Sequence, residues 1–363
     1  MVLPKLTIGN MVADVPIVQG GMGVRVSLSS LAAAVANAGG IGTISSIGLG
    51  DIKASETEYE RISREALIRE IRKAKSMTNG HLAVNIMGVL SNADDLVRTA
   101  VAEGIGMVVY GAGLPTKLPE IAGDANVNLV PIVSSARVAE LIMRMWDKRY
   151  DRTVDGFILE GPMAGGHLGF SLDQLDAIEN HSLDLILPQI LDVVKPYEVK
   201  YGRSIPIITA GGIYDGQDIA RMLSFGAAGV QMGSRFVCTD ECGVSQEFKQ
   251  AYLDAKEDDI VIIKSPVGMP GRAIRNKFLI RVEGPEKQRI KCRYRCLTAC
   301  KVASAKYCIA EALVKSYEGD VDNGLIFCGK NAYRIDKIVS VKTLMDELIA
   351  GVRSAEIPEL KAA

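Results

Sequence analysis

The sequence predicts a (β/α)8 barrel with a helical insertion after the eighth strand and a cysteine-rich C-terminal tail. Three observations predict it. Short apolar, β-branched runs alternate with longer helical patterns, and eight such runs occur before residue 233. The runs are continuously hydrophobic and do not alternate, as expected for parallel strands covered on both faces. Nearly every run ends in small or polar residues, and in a barrel those ends share the face where sites are built. An open doubly wound sheet is the structural alternative.

The expected strands are residues 15–19, 41–45, 82–87, 106–110, 129–134, 156–160, 206–210 and 229–232. The first runs into QGGMG and is followed by the helical pattern SLSSLAAAVANAG. The second ends in SSIG before EYERISREALIREIRKAK. The next four end in NIMG, YGAG, SSAR and EGPMAGG, the seventh in AGGI before GQDIARMLSFG, and the eighth in MGSR. Tight βα turns need a glycine for positive φ. At least five of these turns carry two or more, which leaves open backbone for a ligand to approach.

After Met232 the barrel pattern stops. Residues 240–262 read as helical and acidic, and SPVGMPGRAIRNK reads as a loop, so an insertion is expected over about 240–277. On this reading residues 1–280 form the barrel domain, and residues 281–363 form a helical extension packed on it, ending in the amphipathic VKTLMDELIAGVRS. The 363 residues are 48% hydrophobic and 23% charged, with a formal net charge of −1. That balance gives no electrostatic reason to expect nucleic acid or an anionic membrane as partner. The start, MVLPKLTIGN, lacks a signal-peptide layout, and no apolar run approaches the roughly 20 residues that span a bilayer. A cytoplasmic enzyme with a small-molecule substrate is the expectation, and a homodimer is compatible with it.

The loops after strands seven and eight are the usual phosphate grip of a barrel. Backbone amides of Gly211, Gly212, Gly233 and Ser234 are placed to share one phosphate. No GxGxxG follows the first strand, so a Rossmann dinucleotide site is not supported. On the strand-six turn, ILEGPMAGGHLGF carries His167 as its ionisable residue beyond Glu160. An unperturbed imidazole suits general acid or base work. His81 and His181 sit in settings that read as structural or exposed.

QGGMG, VNIM, AGGHLG, ITAGGI and QMGSRF occur in the order and spacing of the nitronate monooxygenase family, which includes the flavin-dependent enoyl-acyl-carrier-protein reductase II. SPVGMPGRAIRN is similar to a segment of the same group, and the resemblance covers about residues 10–280. It implies a barrel that binds FMN non-covalently on its C-terminal face. By that resemblance Gly21, Met22 and Gly23 lie along the flavin ring and Asn85 bonds its polar edge. Gly211, Gly212, Gly233 and Ser234 hold the phosphate, Gln231 and Gly166 also approach the cofactor, and His167 is catalytic.

Two reactions fit such a site. A nitronate monooxygenase oxidises an alkyl nitronate to a carbonyl compound and nitrite, with His167 steadying or deprotonating the substrate. An ene-reductase uses NAD(P)H as reductant and protonates the α-carbon of an unsaturated carbonyl or thioester. The first is the leading expectation and the second its alternative. A barrel that only stores or senses FMN would have no need of the strand-six histidine, and a sugar-phosphate enzyme would normally add a carboxylate or lysine base at the strand ends.

The tail contains CRYRCLTACKVASAKYC, with thiols at Cys292, Cys296, Cys300 and Cys308. On a helix the first three would line one face. The first expectation is a set of small thiols packing that helix on the barrel. The alternatives are an iron–sulfur cluster or zinc, with Lys291, Arg293, Arg295 and Lys301 offsetting the charge. An odd total of seven cysteines argues against a secreted disulfide framework.

Overall fold

The computed structural model describes residues 3–51, 53–285, 290–292, 295–298 and 300–356. Each apolar run becomes a strand whose ends lie within two residues of those expected. They are β3 (Ile17–Gln19), β4 (Ile41–Ser45), β5 (His81–Met87), β6 (Met107–Gly111), β7 (Asn128–Val133), β8 (Phe157–Glu160), β10 (Ile207–Ala210) and β11 (Gly229–Met232). All pair in parallel with their neighbours, and β11 returns to β3, closing the barrel. Between them run α1 (Ser29–Asn37), α2 (Glu56–Met77), α3 (Ala93–Ala102), α4 (Leu118–Ala122), α5 (Ala136–Tyr150), α6 (Leu172–Asp176), α7 (Leu183–Tyr201) and α8 (Gly216–Ser224). Asp215 caps α8 by accepting from the amides of Gln217 and Asp218, as its position before the helix suggests.

A hairpin precedes the barrel: β1 (Leu6–Ile8) pairs with β2 (Met11–Ala13). Its buried residues Leu6, Ile8, Met11 and Ala13 join the barrel interior of Val18, Ala83, Val109, Val130, Ile158 and Ile208. The hairpin presses on strand starts: a Cβ on Gly106 would lie 2.7 Å from Met11, and one on Gly229 would lie 3.1 Å from Leu6. It plugs the N-terminal mouth, so a ligand reaches the barrel from the opposite, C-terminal face.

Past β11 come the short α9 (Ser234–Val237) and α10 (Gln246–Asp254). The segment expected as a basic loop is instead half of a hairpin. Here β12 (Ile260–Lys264) pairs antiparallel with β13 (Pro270–Ile274) around a turn closed by Ser265 N–H to Met269 O. The hairpin adopts β9 (Gly166–His167) as a third strand, with Gly271 opposite His167. A pairing between residues this far apart has no local signature in the sequence, so the segment reads as loop. Next come α11 (Lys277–Glu283) and α12 (Ile309–Tyr317), which with Ile263, Ala273 and Leu325 form a second, smaller core.

Finally α13 (Val341–Ser354) lies between α8 and α1 and buries Val341, Leu344, Met345, Leu348 and Val352. It meets α8 at paired glycines: a Cβ on Gly216 would lie 2.4 Å from the Gly351 carbonyl carbon. The helix thus fills the remaining place in the ring around the barrel. Among the described residues no helix is long and apolar enough to cross a membrane.

Candidate active site

A cavity of 280 Å³ opens on the C-terminal mouth of the barrel. The site residues expected from sequence meet there. Gly21, Met22, Gly23, Asn85, Gly166, His167, Gly211, Gly212, Gln231, Gly233 and Ser234 all line it. Parallel register explains part of this gathering. Glu160 is level with Ala210, and Ala210 with Gln231, so three neighbouring strands present one row of side chains to the same face.

The glycines let chain segments approach one another or the cavity. A Cβ on Gly21 would fall 2.2 Å from that of Asn85. Gly211 takes φ +98° with the Ala164 amide 2.8 Å from where its Cβ would stand. Around Gly166, at φ +71°, nothing lies within 4 Å of a Cβ. Among the described residues the amides of Gly211, Gly212 and Gly233 make no hydrogen bond within the protein. The Gln231 Oε1 is buried without a partner. A buried polar atom without a partner costs about 1–3 kcal/mol, so this row of donors and acceptors is arranged for a polar ligand.

His167 sits on β9 with its Nε2 2.8 Å from Ser265 Oγ and its ring edge-on to Phe327 at 5.0 Å. Nδ1 is the nitrogen left for the cavity. Burial pushes the imidazole down to about 4, so at neutral pH it is uncharged. Glu160 also faces the cavity, with no ion pair or hydrogen bond to its carboxyl among the described residues. Burial pushes it up to about 7. Sequence reasoning noted Glu160 as an available carboxylate and missed Ser265, whose role depends on the hairpin turn.

Two further residues brace the strand-six turn. Arg272, 2% exposed, donates to the carbonyls of Pro162, at 2.8 Å, and Ala164. Burial pulls its guanidinium down to about 10, and the nearby Cys328 opposes that shift. Residues 328–331 close the cavity beside the strand-seven and strand-eight loops. Gly329 N–H donates to Ser234 Oγ at 2.8 Å, and Asn331 Nδ2 donates to Gly212 O at 2.7 Å. The tail segment therefore belongs to the site, which local sequence patterns did not reveal.

The cysteine segment departs from expectation. Its described residues form no helix between α11 and α12; Leu297 instead bridges to Leu90 in the loop after β5. Cys292 is exposed and Cys296, Cys300 and Cys308 are half-buried. Among the described residues no three His, Cys, Asp or Glu side chains are drawn together as a metal-holding group. The helical thiol face is therefore corrected, because the segment spends its backbone bonds on the β5 loop.

Comparison with known proteins agrees with this geometry. The chain is 31% identical over 274 residues to a Mycobacterium tuberculosis (3aS,4S,5R,7aS)-5-hydroxy-7a-methyl-1-oxo-octahydro-1H-indene-4-carboxyl-CoA dehydrogenase, covering 76% of this chain and 67% of the relative. A Rhodococcus jostii counterpart of the same name is 30% identical, covering 74% and 65%, so the chain spans about two thirds of both dehydrogenases. A probable nitronate monooxygenase of Staphylococcus aureus is 27% identical, covering 73% and 77%. FabK from Thermotoga maritima superposes with a TM-score of 0.73 at 28% identity, covering 94% of this chain and 93% of FabK. The nitronate monooxygenase family model matches residues 6–351, so the kinship runs past residue 280 into the tail. The barrel, the histidine at its mouth and this match together make the chain an oxidoreductase of the nitronate monooxygenase family.

Proposed function

We propose that the cavity binds FMN and that the enzyme oxidises alkyl nitronates, or the nitroalkanes from which they form, to a carbonyl compound and nitrite. FMN, when bound, supplies the electron acceptor. The residues present suit it: Gly211, Gly212, Gly233 and Ser234 for the phosphate, Asn85 and Gln231 for the polar edge of the ring, and Gly21, Met22 and Gly23 along its face. The observation that carries the nitronate reading is the state of His167. A buried, uncharged imidazole is already in its base form at neutral pH. With Nε2–H donated to Ser265 Oγ, Nδ1 is free to take a proton from the α-carbon of a nitroalkane. Towards a nitronate that is already an anion, the neutral ring stabilises negative charge as a hydrogen-bond donor, in the other tautomer; after deprotonating a nitroalkane it does so as the imidazolium just formed.

A second reading, reduction of an α,β-unsaturated carbonyl or thioester with NAD(P)H, is favoured by Glu160. A carboxyl kept protonated up to about pH 7 beside the cavity is a proton source that nitronate oxidation does not require. The likeness to FabK and to relatives named for a carboxyl-CoA thioester supports the same reading.

Anaerobic rapid mixing separates the two. Bleaching of the flavin band by propyl-2-nitronate, and not by NADH or NADPH, is the expected result. Bleaching by a pyridine nucleotide alone moves the assignment to the reductase. A colourless protein that takes up no added FMN removes both. His167→Ala should keep FMN and lose about 10²-fold or more in turnover; unchanged turnover excludes the histidine from the chemistry.

A further inference from the structure

Among the described residues the cavity wall carries two long-chain cations, Arg235 and Lys330. They are not equivalent. Arg235 is fully engaged: its Nη1 donates to Tyr214 O at 3.0 Å, its Nη2 to Glu347 at 2.8 Å, and its guanidinium lies over the Tyr214 ring at 4.5 Å. Lys330 is half-buried, and the carboxylate its ammonium faces is the exposed Glu257, at 3.8 Å. That separation is too long for a hydrogen bond, and an ion pair so exposed contributes little.

The backbone around Lys330 is fixed on every side. It opens a 3-10 turn, Lys330–Arg334, and its own N–H donates to Met163 O at 3.1 Å. The residues on either side of it are the two that tie the tail to the strand-seven and strand-eight loops, Gly329 through Ser234 and Asn331 through Gly212. At the far end of the turn Arg334 pairs with Asp215 at 3.1 Å and lies over the Tyr214 ring at 4.0 Å. Lys330 is thereby held between the two loops whose glycine amides are left unbonded. Those amides offer direction but no net charge, whereas a phosphate monoester carries about −1.5 to −2 at pH 7. A lysine ammonium is a compact charge on a flexible stem, so it can exchange Glu257 for a phosphate oxygen while the backbone stays in place.

We propose that Lys330 is the counter-charge of the cofactor's phosphate, supplied by the C-terminal tail to a grip that the barrel builds from neutral amides. It sets the preference for a phosphorylated flavin over riboflavin, and Glu257 is the partner that the phosphate displaces. The inference rests on the FMN reading of the cavity and on no choice between the two reactions.

The test titrates the full-length protein, freed of bound flavin, with FMN and with riboflavin and follows the quenching of flavin fluorescence. The unaltered protein should prefer FMN. Lys330→Met should weaken FMN by about tenfold, the worth of one charge-assisted hydrogen bond partly screened by water, and leave riboflavin within about twofold. Lys330→Arg should keep most of the preference. Glu257→Gln removes the competing carboxylate and should tighten FMN by about twofold. Added salt should narrow the preference of the unaltered protein and do less to that of Lys330→Met. Unaltered protein that binds neither flavin overturns the FMN reading and this inference with it. Unaltered protein that prefers FMN, beside a Lys330→Met variant with the same ratio of FMN to riboflavin affinity, overturns this inference alone. An equal loss of both flavins in that variant does the same, since it marks a structural role.

Discussion

His167 depends for its orientation on a serine 98 positions further along the chain. A serine so placed acts through the imidazole and makes no claim on the substrate itself. Ser265→Ala removes the hydrogen bond to His167, commonly worth about 1 kcal/mol, along with a long one from Val267 N–H at 3.4 Å, so turnover should fall roughly fivefold. FMN affinity, followed by the quenching of flavin fluorescence, should stay as it was, and Ser265→Thr should restore most of the rate. An equal loss of FMN affinity would show a structural role for the serine. Gly166 and His167 were legible because a histidine among glycines at a strand end is chemically conspicuous. Ser265 was not, since a serine before a proline in a glycine-rich stretch looks like any turn.

Among the elements, the strands were the most legible. A strand covered on both faces declares itself as an apolar run, and all eight did so. The hairpin β12–β13 was hidden because its partner β9 contributes only two residues, Gly166 and His167, and lies far away in sequence. The amphipathic pattern of α13 was visible, but not its place between α8 and α1. Leu348 is fully buried in that packing. Leu348→Ala should cost about 3 kcal/mol, read from the denaturant midpoint at unchanged slope. A loss below about 0.5 kcal/mol would mean that α13 is not docked in the ring as described.

Over the whole molecule, two cavity groups set opposing pH dependences in the cofactor-free protein. Glu160 has its folded value raised to about 7, so its contribution is complete below its unfolded value and fades as pH rises to 7. His167 has its folded value lowered to about 4, so its contribution is complete above its unfolded value and fades as pH falls to 4. Between about pH 4.5 and 6.5 the two changes largely cancel. Glu160→Gln should therefore unmask a stability that climbs with pH across that window, by up to about 3 kcal/mol. His167→Gln should unmask one that declines towards pH 7. Parallel denaturation series for the two variants check this, and equal slopes of one sign would contradict it. Ring closure by α13 also has a consequence in time. A ribosome that has finished β11 must still add roughly a hundred residues before α13 emerges, or about 5–20 s at ordinary synthesis rates. Throughout that interval the apolar flanks of α1 and α8 that α13 covers stand open on the nascent chain, so the ring around the barrel closes only once that helix has emerged.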